Sequence, residues 1–279
     1  MKALILSRPG DFGVLEDHWP AHPLLLPVLN LPVYLHLAAY LKALGVFEVR
    51  VLRGGNGLLE PRDLALEPQW VRQSGGLDWS LRGWALGAHP QGLTLPEVLA
   101  QQRLFQDGED LLVLSAPLLP LEPLTGPKIP PLFPVSESRL LAPRLLSGGG
   151  LLAQAELGTF ASLASLKDYY RTQMRLLATV SPAGASLKGV HPRAVLEAPL
   201  LLGAGVRVAA HAQVGPECIL AAGTRVDKEG RLRRTLVLSR VRVGRGAAFD
   251  GKVIIGTTVL DPENGGGVSI REPEILRVP

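Results

Sequence analysis

The segment LILSRPGDFGVLED, residues 4–17, carries the first residues in the chain that could do chemistry. An apolar run, Leu4 to Leu6, meets Pro9, Gly10 and Gly13, the pattern of a buried strand entering a loop. A glycine-bearing loop after a first strand is where α/β proteins bind phosphate, because backbone N–H groups can approach the anion there. The spacing Gly10-x-x-Gly13 matches neither G-x-G-x-x-G nor the Walker pattern, so by itself the loop reads as an ordinary turn. Asp11 and Asp17 have the composition of a displaced metal pair, and carboxylates of a solvated loop are the plainer account. The histidines (His18, His22, His36, His89, His191 and His211) show no H-x-x-E-H or H-x-H spacing, which argues against zinc. Cys218 is the single cysteine, so an intrachain disulfide and a cysteine-based zinc site are both excluded.

The elements that must position these residues follow from the whole chain. Its 279 residues suffice for two domains, and 47% hydrophobic with 19% charged residues describes a folding chain rather than a disordered one. The formal charge of +4 is mild and the basic residues are scattered apart from Arg231, Arg233 and Arg234, so nucleic acid is not an expected partner. Those three arginines read as a solvated loop. The stretch Trp19–Leu41 lacks Asp, Glu, Lys and Arg, but Pro20, Pro23, Pro27 and Pro32 interrupt it, so no membrane span is expected. No secretory signal is legible after Lys2, and a reducing cytoplasm suits the lone cysteine.

The spacing predicts a helix over Pro32–Gly45, with Val33, Leu37, Tyr40, Leu41 and Leu44 on one face and Gly45 just past its end. FEVRVL then alternates as a strand, so strand, loop, helix and strand form a βαβ unit and hence a parallel sheet. TLPEVLAQQRLF reads as a helix, EDLLVLSAP as a buried strand ending at Ser115, and Gly148–Gly150 as a joint. LASLKDYYRTQMRLLATV is a second clear helix, expected to bury Leu163, Leu166, Tyr170 and Met174.

From Val190 an apolar residue recurs every six positions: Val190, Leu196, Leu202, Val208, Val214, Leu220 and Val226. The step resumes at Val237, Val243, Phe249 and Ile255 after an interruption, DKEGRLRRTL, read as a loop over 227–234. This hexapeptide period predicts a left-handed parallel β-helix in which three hexads make one triangular coil and the recurring residues share one core. The expected domains are 1–178, α/β, and 186–279, β-helix. Exposed β-helix faces are natural association surfaces, so a homo-oligomer is expected.

A βαβ opening followed by hexapeptide repeats resembles the sugar-1-phosphate nucleotidylyltransferases, in particular the mannose-1-phosphate guanylyltransferase-like branch. The likeness is carried by HPLLLPVLNLPVYLHLAAYLKALGV, which follows the family's P-K-P-L-L-P-V-x-N-K-P-V segment and helix. EDLLVLSAP resembles the strand bearing the family's N-G-D, and ELGTFASLASLKDYYRTQMRLL its W-x-D-I-G-T-P-x-D-Y segment. The resemblance implies a truncated Rossmann-like nucleotidyltransferase domain before the β-helix.

The resemblance also marks what is missing. Ser7 and Arg8 stand where the family's loop has its glycine pair, with Pro9 removing a donor, while Gly10, Asp11 and Gly13 fill the rest of the vestigial loop. His22 replaces the P-K-P lysine, and a histidine is mostly neutral at pH 7. Pro117 replaces the metal-binding Asp of N-G-D, and Glu156 stands at the second metal position. Phosphoryl-type transfer depends on positioned positive charge and metal, so losing loop, cation and metal ligand together implies no catalysis and no cofactor. The reading is a regulatory or scaffolding subunit in sugar-nucleotide metabolism, partnered by an active nucleotidyltransferase paralogue and retaining at most a nucleotide or sugar nucleotide. The alternatives are an active nucleotidylyltransferase with an altered site, and a hexapeptide acyltransferase in which His211 is the base that deprotonates the acceptor.

Overall fold

The structure, a computed structural model, describes residues 2–7, 10–55, 71–73, 77–85, 111–121, 144–147, 150–151, 159–180 and 188–279. Arg8, Pro9, His89, Gly148, Gly149, Glu156 and the helix expected over residues 94–105 lie outside the described residues. The chain forms two compact units, one of Met1–Glu16, Pro20–Leu25 and Val33–Ala164, the other of Asp17–Trp19, Leu26–Pro32 and Ser165–Pro279.

The first unit is built on strand β1 (Lys2–Ser7), with α1 (Val14–His18) following its loop. Helix α2 (Val33–Ala43) leads to β4 (Glu48–Gly55), which pairs parallel with β1, so the expected βαβ unit is present. Strands β5 (Asp78–Ala85), β6 (Leu111–Ser115), β8 (Arg144–Ser147) and β9 (Gly150–Leu151) complete a sheet ordered β5-β4-β1-β6-β8-β9. Ala3 to Leu6 are all buried, the continuous apolar run of a parallel strand covered on both faces. Helix α2 buries Val33, Tyr34, Leu37, Ala38, Tyr40 and Leu41, and the Tyr34 ring stands edge-on to Trp79 at 6.0 Å. It ends as expected at Gly45: φ is +74°, Gly45 N–H donates to Lys42 O at 3.0 Å and Val46 N–H to Leu41 O at 3.0 Å. That pair of bonds is a Schellman closure, which satisfies two terminal carbonyls.

The second unit is a parallel β-helix. Its three sheets stack β11 (Val195–Leu196), β14 (Gln213–Val214), β17 (Arg231–Arg233) and β20 (Ala248–Asp250); then β12 (Leu200–Leu202), β15 (Cys218–Leu220), β18 (Leu236–Val237) and β21 (Val253–Ile255); then β13 (Arg207–Val208), β16 (Arg225–Val226) and β19 (Arg242–Val243). The parallel stack ends in antiparallel strands: β22 (Thr258–Leu260) and β23 (Gly267–Ser269) extend the second sheet, and β24 (Leu276–Arg277) closes the third. Such reversals cover an otherwise open edge.

The β-helix departs from the expected repeat at two places. The segment 227–234 is not a looped insertion: Leu232 lies opposite Val214 and Phe249, is 1% exposed and supplies the hexad residue of its coil. The pattern was hidden because the next step, Leu232 to Val237, is one residue short of six. The last step is short as well, so Ile254, opposite Val237, rather than Ile255, takes the inward place.

Helix α3 (Leu166–Leu177) starts at Ser165, whose Oγ accepts from Asp168 N–H at 3.0 Å. Its buried face is Leu166, Tyr169, Thr172, Gln173 and Leu177, not the one through Tyr170 and Met174. The cause is polar. The backbone of β2 (Pro27–Val28) and its turn needs partners, and Gln173 supplies them, accepting from Leu29 N–H at 3.0 Å and donating to Pro27 O at 2.6 Å. The Tyr169 hydroxyl donates to the same carbonyl. Apolar periodicity cannot register a glutamine. Among the described residues no helix is long and apolar enough to cross a membrane.

One buried polar group invites a test. Thr224 is fully buried, and its hydroxyl has no partner among the described residues. The coils on either side place Val206 and Val241 at the same position. Thr224→Val keeps the shape and removes an unsatisfied hydroxyl, so a gain of about 1 kcal/mol is expected. A melting scan checks it: a rise of roughly 2–4 °C is the outcome, and a fall would show that the hydroxyl is bonded.

Candidate functional site

In the first unit the chain runs from β1 through α2 to β4 and β5 on one side, then returns to place β6 on the other side of β1. The carboxyl ends of β1 and β6 therefore flank a topological switch point, where open α/β sheets bind ligands. Ala116, just past β6, meets the end of β1 here, its N–H donating to Leu6 O at 2.8 Å. Ser7 closes the strand, fully buried.

The loop is bonded inward. Gly13 N–H donates to Gly10 O at 2.9 Å, and Glu16 N–H to Gly13 O at 2.9 Å. Gly10 N–H, the kind of donor a phosphate cradle offers, donates to Glu16 Oε2 at 3.1 Å. Glu16 is 8% exposed, so a carboxylate of the chain itself sits where the loop could receive an anion. Sequence reading missed Glu16; its signal was an acidic residue in the first turn after a glycine loop. Asp11 is half-buried in the same turn, which adds negative rather than positive charge.

His22 is fully buried, and its Nδ1 accepts from Leu24 N–H at 3.2 Å. Leu25 N–H donates to His22 O at 2.9 Å, so the residue caps the turn Pro23–Leu25 from within. A ring nitrogen that accepts carries no proton, and this one is turned to its own backbone rather than outward as a cation would be. Pro117 is buried, with its carbonyl accepting from Leu163 N–H at 2.6 Å and no side-chain donor to offer a metal. Among the described residues no three His, Cys, Asp or Glu side chains gather as a metal site. These residues do not fit the magnesium of the nucleotidylyltransferase resemblance.

In the second unit, His211 is exposed at a coil corner with φ +62°, a conformation that Glu229 and Gly246 repeat on the following coils. Cys218 points into the core opposite Leu200, and burial pushes its thiol up to about 11, which leaves it inert as a nucleophile. The face of β11, β14, β17 and β20 carries an open groove of about 520 Å³ over Gly215, bordered by Glu197, Gln213, Arg231 and Arg233. Arg234, read as loop, forms a two-pronged pair with Asp250 at 2.8 and 2.9 Å. That hydrogen-bonded guanidinium holds the Asp250 carboxyl below its ordinary value.

Compared with known proteins, the chain matches no family model and no curated protein. Among solved structures it is similar to a protein of Bacillus anthracis provisionally designated a glucose-1-phosphate thymidylyltransferase, in complex with a sucrose. The identity is 16% over 44% of this chain and 46% of that one, with a TM-score of 0.32. The match spans less than half the length of that protein.

Proposed function

We propose that the protein is a non-catalytic, nucleotidyltransferase-like subunit that regulates or scaffolds an active sugar-nucleotide enzyme, associating through its β-helix. The observation that best supports this reading is the Gly10 N–H donating to Glu16, an internal carboxylate that takes up a donor of the kind a phosphate cradle would offer. Two further substitutions support it: His22 turns its Nδ1 to Leu24 N–H, and Pro117 has no side-chain ligand atom to give. A reaction that collects negative charge at phosphorus needs preorganised donors, and removing even one such donor commonly costs about 10²–10³ in rate.

The decisive measurement is pyrophosphate release from each nucleoside triphosphate with Mg²⁺ and a hexose 1-phosphate. No release above the protein-free control is expected. Steady turnover would overturn the proposal in favour of an active nucleotidylyltransferase with rearranged groups. A nucleotide titration with and without Mg²⁺ then divides the reading: metal-independent binding makes the protein a sensor, and no binding makes it a scaffold.

A further inference from the structure

Three successive coils of the β-helix repeat one short pattern on one face: Val206-Arg207-Val208, Thr224-Arg225-Val226 and Val241-Arg242-Val243. Strand β24 lays Leu276-Arg277 antiparallel beside the last of them. The register sets Arg207, Arg225, Arg242 and Arg277 opposite one another, while Val208, Val226, Val243 and Leu276 fill the core behind them. Neighbouring strands lie about 4.8 Å apart, so the column of arginines is straight and roughly 14 Å long.

Like charges directly opposite one another across a sheet repel. The chain answers this at one rung, where Arg242 Nε donates to Asp227 Oδ2 at 2.7 Å. Arg207, Arg225 and Arg277 have no hydrogen-bond or ion-pair partner for their guanidinium groups among the described residues. Arg240 adds a further cation, its stem lying over Gly223 one turn from Arg225. Glu272 and Glu274, close in sequence to Arg277, are exposed and form no ion pair among the described residues.

We propose that this column is a docking strip for an extended acidic segment of a partner protein. A guanidinium engages carboxylates through parallel N–H bonds, and the Arg242–Asp227 pair already shows the column accepting one. Alternate side chains of an extended strand are roughly 6.8 Å apart, so two or three carboxylates on one of its faces span the column. A nucleic-acid strand is the weaker occupant, since sequence-tolerant binding of single strands uses aromatic platforms and the outward residues of this column are arginines. The strip requires nothing of the first unit, so it stands independently of the proposed lack of catalysis.

The test is fluorescence anisotropy at low salt with labelled decaglutamate, and in parallel with labelled oligothymidine. Arg207→Glu with Arg225→Glu should weaken decaglutamate binding about tenfold or more. Arg231→Glu with Arg233→Glu, the same net charge change on another face, should leave it nearly intact. The neutral pair Arg207→Gln with Arg225→Gln repeats the first measurement should the charge reversal fail to fold. The proposal is overturned if decaglutamate does not bind, if both glutamate pairs weaken it equally, or if oligothymidine binds more tightly and is lost with Arg207 and Arg225.

Discussion

Gly215→Ala is expected to lower stability by at least about 3 kcal/mol. Gly215 has φ +109°, and a Cβ built on it would lie 1.9 Å from Glu197 O and 2.8 Å from Glu197 C. Both are backbone atoms of the adjoining coil, where Glu197 N–H itself donates to Val214 O at 2.9 Å. No rotamer change relieves the contact; the coils must separate. Gly205 provides the comparison, since it has φ +70° but no atom within 4 Å of the added carbon. Gly205→Ala therefore carries only the left-handed backbone penalty of about 1–2 kcal/mol. Thermal unfolding followed by circular dichroism separates the two. Equal melting temperatures for the two variants would mean that the coils are not stacked at Glu197 in this register.

Leu232→Ala is expected to cost about 2–5 kcal/mol, the penalty for emptying a close-packed core site. The residue is 1% exposed and sits in the β-helix core between Val214 and Phe249. Were 227–234 a solvated loop, the same change would fall within about 0.5 kcal/mol. Arg231→Ala, on the outward side of the same strand, is the internal control and should barely move the melt. A small effect at both positions would restore the loop reading and break the third coil.

How far the candidate site could be read from the sequence depended on which interaction each residue makes. Loop position, strand end and the proline at 117 were all legible, because glycine, proline and apolar runs act locally. The role of Glu16 was not, since a carboxylate five positions beyond Asp11 reads as solvent-exposed until folding turns it back onto Gly10 N–H. His22 was legible as a substitution but not as a cap, because its partner is its own backbone two residues on. The arginine column escaped notice for a related reason. Its members are a whole coil apart in sequence, and the shortened steps around Val237 and Ile254 disturb the spacing that would have aligned them.

The amino-acid order alone determined the two kinds of architecture: a parallel α/β sheet from a buried strand, a capped helix and another strand, and a β-helix from inward residues every six positions. Both follow from short-range periodicity, which sets which side chains share a face before any distant contact forms. Only the tertiary structure decided which polar groups meet. It turned Gln173 inward, carried Glu16 to the glycine loop, drew Leu232 into the core and lined four arginines along one edge of the coil. Those outcomes depend on strand register and on backbone groups that must find partners, and neither is written in the pattern of apolar residues.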